Sequence, residues 1–203
     1  FDENVSISGN VKDRMPYRAS LGYQDQMGTL YGSNYERGTM DISLSPNFLD
    51  KHLTLDLSAR GVYVHSDYAE GGVVGKAAFY NPTRDPYFRN EDGSIDFTTN
   101  NGYWGPGAGR GKGFTPNKLV GEGPLSLLYD KWSYANTARF VGKAAIDYKV
   151  HGFEALRFNV ALSMDVSESK SANGVNPGSF QAYSDDEAIG VGKNHTGYNK
   201  NLN

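Results

Sequence analysis

Few residues in this sequence invite a chemical reading, and they are scattered. The run Gly105-Pro106-Gly107-Ala108-Gly109-Arg110-Gly111-Lys112-Gly113 has the glycine density and the lysine of a phosphate-cradling loop. It departs from that motif where it matters, because Pro106 stands in the place of the first glycine and Gly113 in the place of the Ser/Thr. It reads instead as a flexible surface loop. His52, His65, His151 and His195 are too widely separated for metal-ligand spacing and read as solvated histidines, most of them near strand ends. Asp185-Asp186-Glu187 offers oxygens to a calcium ion but lacks the spaced ligands of a known loop, so it reads as a solvated acidic segment. No Ser, His and Asp are marked as a unit, and neither a catalytic nor a metal-ligating residue is assigned.

Two aromatic pairs carry more. Flat aromatic faces beside hydrogen-bonding groups bind sugars, which makes Tyr103 and Trp104 candidate substrate contacts. Trp132 and Tyr134, next to a strand, read as loop packing or as aromatics at a membrane interface.

The elements that must position these residues are strands. Leu53, Leu55, Leu57 and Ala59 alternate with Thr54, Asp56, Ser58 and Arg60, the period of two that puts one side-chain class on each face. The same alternation runs through Val5 to Val11, Tyr17 to Gln26, Tyr35 to Ser45 and Phe140 to Tyr148. It is strongest where Leu156, Phe158, Val160, Leu162, Met164 and Val166 oppose Arg157, Asn159, Ala161, Ser163, Asp165 and Ser167. Pro16 is expected to end pairing locally, having no N–H to donate. A further strand is expected to start near Gly197.

A soluble sandwich also alternates, so length and connections have to decide. The strand from Leu53 extends to about His65, longer than usual for a globular strand and enough for the ~9–11 residues of a tilted transmembrane strand. The connections alternate between short and long. Lys12 to Pro16, Pro46 to His52 and Val150 to Ala155 are short, whereas Met27 to Asn34, about 66–138 and about 168–196 are longer. In an antiparallel sheet this sorts the short turns to one end and the long loops to the other, the asymmetry of outer-membrane barrels. Charged groups on the second face of the 156–167 strand would be costly in a protein core and cheap in a water-filled lumen.

Composition sets outer bounds. With 203 residues, no cysteine and a net charge of −3, the chain is neither a disulfide scaffold nor a nucleic-acid binder. A mean hydropathy of −0.57 goes with the absence of any ~20-residue apolar run, which leaves a barrel untouched as a reading. The chain opens on Phe1 without an initiator methionine and stops within a polar stretch, and is expected to be an internal piece of something larger.

Several segments, in one order, resemble a known family. Val5-Ser6-Ile7-Ser8-Gly9, Met15-Pro16-Tyr17-Arg18, Ser20-Leu21-Gly22-Tyr23, Ser33-Asn34-Tyr35-Glu36-Arg37, Leu44-Ser45-Pro46-Asn47-Phe48-Leu49-Asp50 and Leu53-Thr54-Leu55 are similar to the early barrel of SusC/RagA-type TonB-dependent transporters of Bacteroidetes. Asp67-Tyr68-Ala69-Glu70-Gly71-Gly72 with Asn81-Pro82-Thr83 is similar to that family's first long loop. The resemblance is dense from Val5 to about Pro86 and resumes at Arg139 to Asp165.

It implies an all-β fold, an antiparallel transmembrane β-barrel segment of six to seven strands from a plugged barrel of about 22, with short periplasmic turns and long extracellular loops. It further implies import of oligosaccharides or peptides across the outer membrane, a SusD-like surface lipoprotein as partner, and energy from the TonB complex through a plug that this chain does not contain. On this reading Leu53, Leu55, Leu57, Leu156, Phe158, Val160 and Leu162 face lipid. Arg60, Lys143, Asp147, Arg157, Asn159 and Asp165 face the lumen or plug. No enzyme activity and no cofactor is expected, calcium in the parent protein excepted. Two other readings share the pattern: a passive porin, and a soluble β-sandwich carbohydrate-binding module.

Overall fold

The computed structural model describes residues 1–12, 14–182 and 193–202. Its frame is one antiparallel sheet. The strands are β1 (Asp2–Val11), β2 (Met15–Met27), β3 (Asn34–Leu44), the two-residue β4 (Asn47–Phe48), β5 (Leu53–Asp67), the loop hairpin β6 (Gly107–Ala108) and β7 (Thr115–Pro116), then β8 (Lys131–Lys149), β9 (Arg157–Val175) and β10 (Lys193–Leu202). Seven long strands lie in the order β1-β2-β3-β5-β8-β9-β10, and β4 adds a short pairing to β5. The only helices among the described residues are short: α1 (Gly72–Ala78), α2 (Pro124–Tyr129) and three 3-10 turns. None is long and apolar enough to cross a membrane.

Register turns the alternation into two surfaces. Leu57 pairs with Leu44 on one side and Ala144 on the other, and Ala144 pairs with Leu162. Further along, Val5, Leu21, Met40, Gly61, Phe140 and Val166 form one continuous cross-strand row. Directly opposed residues share a face, so every apolar parity recognised in the sequence falls on the same side. That side is open, with Leu162 71% and Val5 73% exposed.

Aromatic residues bound this apolar band. Tyr148, between Leu53 and Phe158, marks one limit; Tyr23 and Tyr63, either side of Gly38, mark the other. From Leu53 to Tyr63 at ~3.3 Å per residue the band runs about 33 Å along the strand, which a tilt of ~40° reduces to about 25 Å of height. Beyond it, Asp25, Glu36, His65, Asn136 and Lys170 form a polar row.

Three boundaries differ from the sequence reading. Lys131 to Ala138 and Glu168 to Val175, expected within long connections, are strand and pair with each other from Lys131↔Val175 onward. They rise past the apolar band, where polar residues fall on both faces, so no alternation advertises them. Lys193 to Thr196, also expected as loop, belongs to β10. Pro16 does not end β2 but sits in it, its carbonyl accepting from Ser45 N at 3.0 Å, because the missing N–H costs nothing at a position where only the carbonyl is used.

The end of the sheet that carries the long connections is capped by residues 68–130 and 176–182. Phe88, Phe114 and Phe180 form its small core, with Trp104 packed against it.

Candidate functional site

The sheet brings all six charged or polar candidates to one face, the one opposite the apolar band. Arg60 pairs with Asp41 across β3 and β5. Arg157 Nε reaches the two carboxylate oxygens of Asp147 at 2.7 and 2.8 Å, and Asn159 Nδ2 donates to the same carboxylate at 3.2 Å. Asp165 takes a hydrogen bond from Arg139 Nε at 2.9 Å. Lys143, opposite Ser58 and Ser163, makes no ion pair among the described residues. Asp41 and Arg139 were not singled out from the sequence. Their parity was readable, but the register that makes them partners was not.

The loop cap is built from residues with little periodicity. Its glycine run is not the free loop expected from composition. A Cβ on Gly107 would lie 2.6 Å from the Phe114 ring and 2.5 Å from Thr115 O, so glycine there lets β6 close over Phe114. Gly123 is equally constrained, since a Cβ would fall 2.2 Å from Trp104 O.

Two carboxylates anchor this cap. Asp130 is 2% exposed; its oxygens accept from Asn101 Nδ2 at 2.8 Å and Ser126 Oγ at 2.9 Å, and its carbonyl accepts from Asn176 N at 2.8 Å. Burial pushes its pKa up. Asp96 accepts from Thr98 N at 3.0 Å and from Thr99 Oγ1 at 2.6 Å. Hydrogen bonds from Thr98 and Thr99, with a lesser contribution from Arg110, hold its carboxyl down to about 2. At the loop base, the Lys131 ammonium, 2.9 Å from Glu70, keeps the Glu70 carboxyl below its ordinary range.

The two aromatic candidates part company. Tyr103 stacks on Tyr129 with ring centroids 5.5 Å apart, and Tyr129 meets Tyr31 of the β2–β3 connection at 5.2 Å. Trp104 is half-buried; the Arg84 guanidinium lies 4.3 Å above its ring and Tyr80 meets it edge-on at 5.8 Å. That side of Trp104 forms part of a groove of about 610 Å³. Trp132 and Tyr134 stack on each other at 6.0 Å.

At the short-turn end, His52 and His151 come together with stacked rings 3.8 Å apart, which their separation in sequence did not suggest. No group of metal-holding side chains is found among the described residues. Asp185, Asp186 and Glu187 lie outside those residues, as does the side chain of His195.

A sheet with one apolar face of membrane height, one charged face, short turns at one end and folded loops at the other has the layout of a stretch of β-barrel wall. No family model matches the chain. It is, however, 35% identical over 187 residues to the TonB-dependent receptor SusC of Bacteroides thetaiotaomicron. The alignment takes in 88% of this chain and 18% of that receptor, so the chain spans under a fifth of its relative's length. The resemblance drawn from the sequence is thereby borne out, and the chain is SusC-like over most of its length. The relative's name describes a receptor and not an enzyme, in agreement with the non-enzymatic reading of the sequence.

Proposed function

We propose that this chain is part of the wall and outward loops of an outer-membrane β-barrel that imports oligosaccharides or peptides at the expense of TonB-coupled energy. The observation that carries the proposal is the apolar band on one face of six antiparallel strands, β1, β2, β3, β5, β8 and β9, bounded by Tyr148 and by Tyr23 and Tyr63 at a spacing that fits a bilayer. The opposite face, with Arg60, Lys143, Asp147, Arg157, Asn159 and Asp165, lines the lumen or meets the plug. Such a face stays hydrated and tolerates its ion pairs at little cost. The end bearing the long loops points outwards and the short turns point to the periplasm.

A SusD-like lipoprotein is the partner that closes over these loops. Leu119 is 97% exposed there, an apolar side chain that a protein lid would cover.

The test is made on the full-length protein in its cells. It should fractionate with the outer membrane, and uptake of its substrate should cease when the TonB complex is disabled. Uptake that persists without TonB identifies a passive porin instead. A protein that stays soluble without detergent identifies a carbohydrate-binding module.

A further inference from the structure

The groove beside Trp104 contains charge that the loop cap does not use. The Arg84 guanidinium lies over the indole of Trp104, and no carboxylate pairs with it among the described residues. Its neighbour Asp85 is already committed, accepting from Arg89 Nε at 2.6 Å and from Tyr87 N at 2.9 Å. Lys76 enters from the α1 side, where its ammonium donates to Val120 O at 3.3 Å and keeps two further N–H groups for other acceptors. A Cβ on Gly121 would sit 2.7 Å from that ammonium, so the glycine makes room for it. Glu122 is the one carboxylate among the residues lining the groove, and it makes no ion pair among the described residues. Two cations therefore face one anion.

An arginine stacked on an aromatic ring is held in orientation while its N–H edge stays available, the arrangement suited to planar recognition of an oxyanion. The rings of Phe79 and Tyr80 line the same groove and offer surfaces to C–H groups. Its volume, about 610 Å³, is in the range of small-ligand sites.

We infer that this groove binds an anionic saccharide, with a carboxylate or sulfate ester on Arg84 and Lys76 and the sugar ring against Phe79 and Tyr80. This deepens the proposed import function and rests on it. The anion takes guanidinium N–H groups of Arg84, which lines the groove beside the indole.

The test uses the full-length receptor purified in detergent and four probes followed by calorimetry: trigalacturonate, a sulfated galactose trimer, the uncharged galactose trimer and triaspartate. One or both anionic sugars should bind at least about tenfold more tightly than the neutral trimer, and the comparison between them separates carboxylate from sulfate ester recognition. Arg84→Gln should remove that preference. Arg84→Lys, which keeps the charge but not the planar fork, should recover only part of it, and Glu122→Gln should strengthen binding of the anionic probe.

Equal binding of neutral and anionic trimers, an unchanged preference in Arg84→Gln, a stronger response to triaspartate, or no response to any probe each overturns the assignment. Such a result leaves TonB-dependent uptake as it was found. Failure of the receptor to fractionate with the outer membrane overturns the import reading itself.

Discussion

Asn101 donates its side-chain amide to Asp130 at 2.8 Å and to the carbonyl of Pro177 at 3.0 Å, joining the middle of the long loop to the outer end of β8 and to the chain leaving β9. Asp130 is the shared node, because Ser126 and the backbone of Asn176 converge on the same residue. Replacing it with alanine leaves the Ser126 hydroxyl without its acceptor, a loss of about 1–3 kcal/mol if it stays unpaired, and leaves the Asn101 amide only Pro177 O. Asp130→Ala should therefore open the cap, seen as faster amide exchange over 97–104 and 176–180, while β5, β8 and β9 stay protected. Asp130→Asn, which keeps one acceptor, should lose less.

The cap should also respond to acid through Asp96. Its folded pKa of about 2 lies below the ordinary carboxylate value, so its contribution is fully present above that ordinary value and is lost as pH falls through about 2. Asp130 works in the opposite sense, since a raised pKa means that protonation favours the folded cap. Trp104 fluorescence followed downward from pH 5 should report opening as Asp96 titrates, with loss of the Glu70–Lys131 pair acting in the same direction. The transition should shrink in Asp96→Asn, whose cap is already weakened at pH 5, and shrink further when Glu70→Gln is added.

On the apolar face, the cost of a charge should follow register. Leu162 lies in the row of Leu57 and Ala144, near mid-height of the band, whereas Val160 and Phe158 lie progressively nearer its edge. Leu162→Arg should cost about 2–4 kcal/mol on folding into vesicles, with Val160→Arg intermediate and Phe158→Arg smallest. An equal cost at all three positions contradicts the depth assignment.

The charged face should behave otherwise. Arg157 is 59% exposed in its side chain even while paired with Asp147, and exposed pairs are screened and entropically offset. Arg157→Ala should leave the unfolding midpoint of the folded barrel close to that of the parent, measured by loss of heat-modifiable mobility on a gel.

Gly123→Ala tests the groove wall. The added methyl meets Trp104 O at 2.2 Å, a backbone atom that cannot step aside cheaply. Trp104 fluorescence should shift and the groove should lose its ligand preference, whereas Gly113→Ala, which meets nothing within 4 Å, should change neither.

What could be read in advance follows from where water lies. Leu53 to Tyr63 was plain as strand because only one of its faces is apolar, and period two is visible only under that condition. Lys131 to Tyr134 and Glu168 to Val175 were hidden because Trp132, Tyr134 and Ala172 are too few, among polar residues on both faces, to mark out a period of two. The sharing of one face by Arg60 and Asp165 was legible from parity alone, but the pairing of Arg60 with Asp41 needed the register of β3 on β5. The cap was the least legible part: Phe88, Phe114 and Phe180 meet through loop geometry that carries no repeat. The Arg84–Trp104 stack likewise joins residues with no periodic relation, so Trp104 stood out from the sequence and Arg84 did not.

The β8–β9 ladder continues without interruption from Lys149↔Arg157 up to Lys131↔Val175. From Ala138 to Lys131 it climbs about 23 Å along the strand at ~3.3 Å per residue, roughly 18 Å of height at a tilt of ~40°. It stands as a mast rooted in the apolar band. The loop cap is moored at its top through Asp130 and Glu70, so a load on the cap is carried down the covalent backbone of two strands that their ladder holds side by side into the wall. Any yielding must then occur in the moorings and not in the mast.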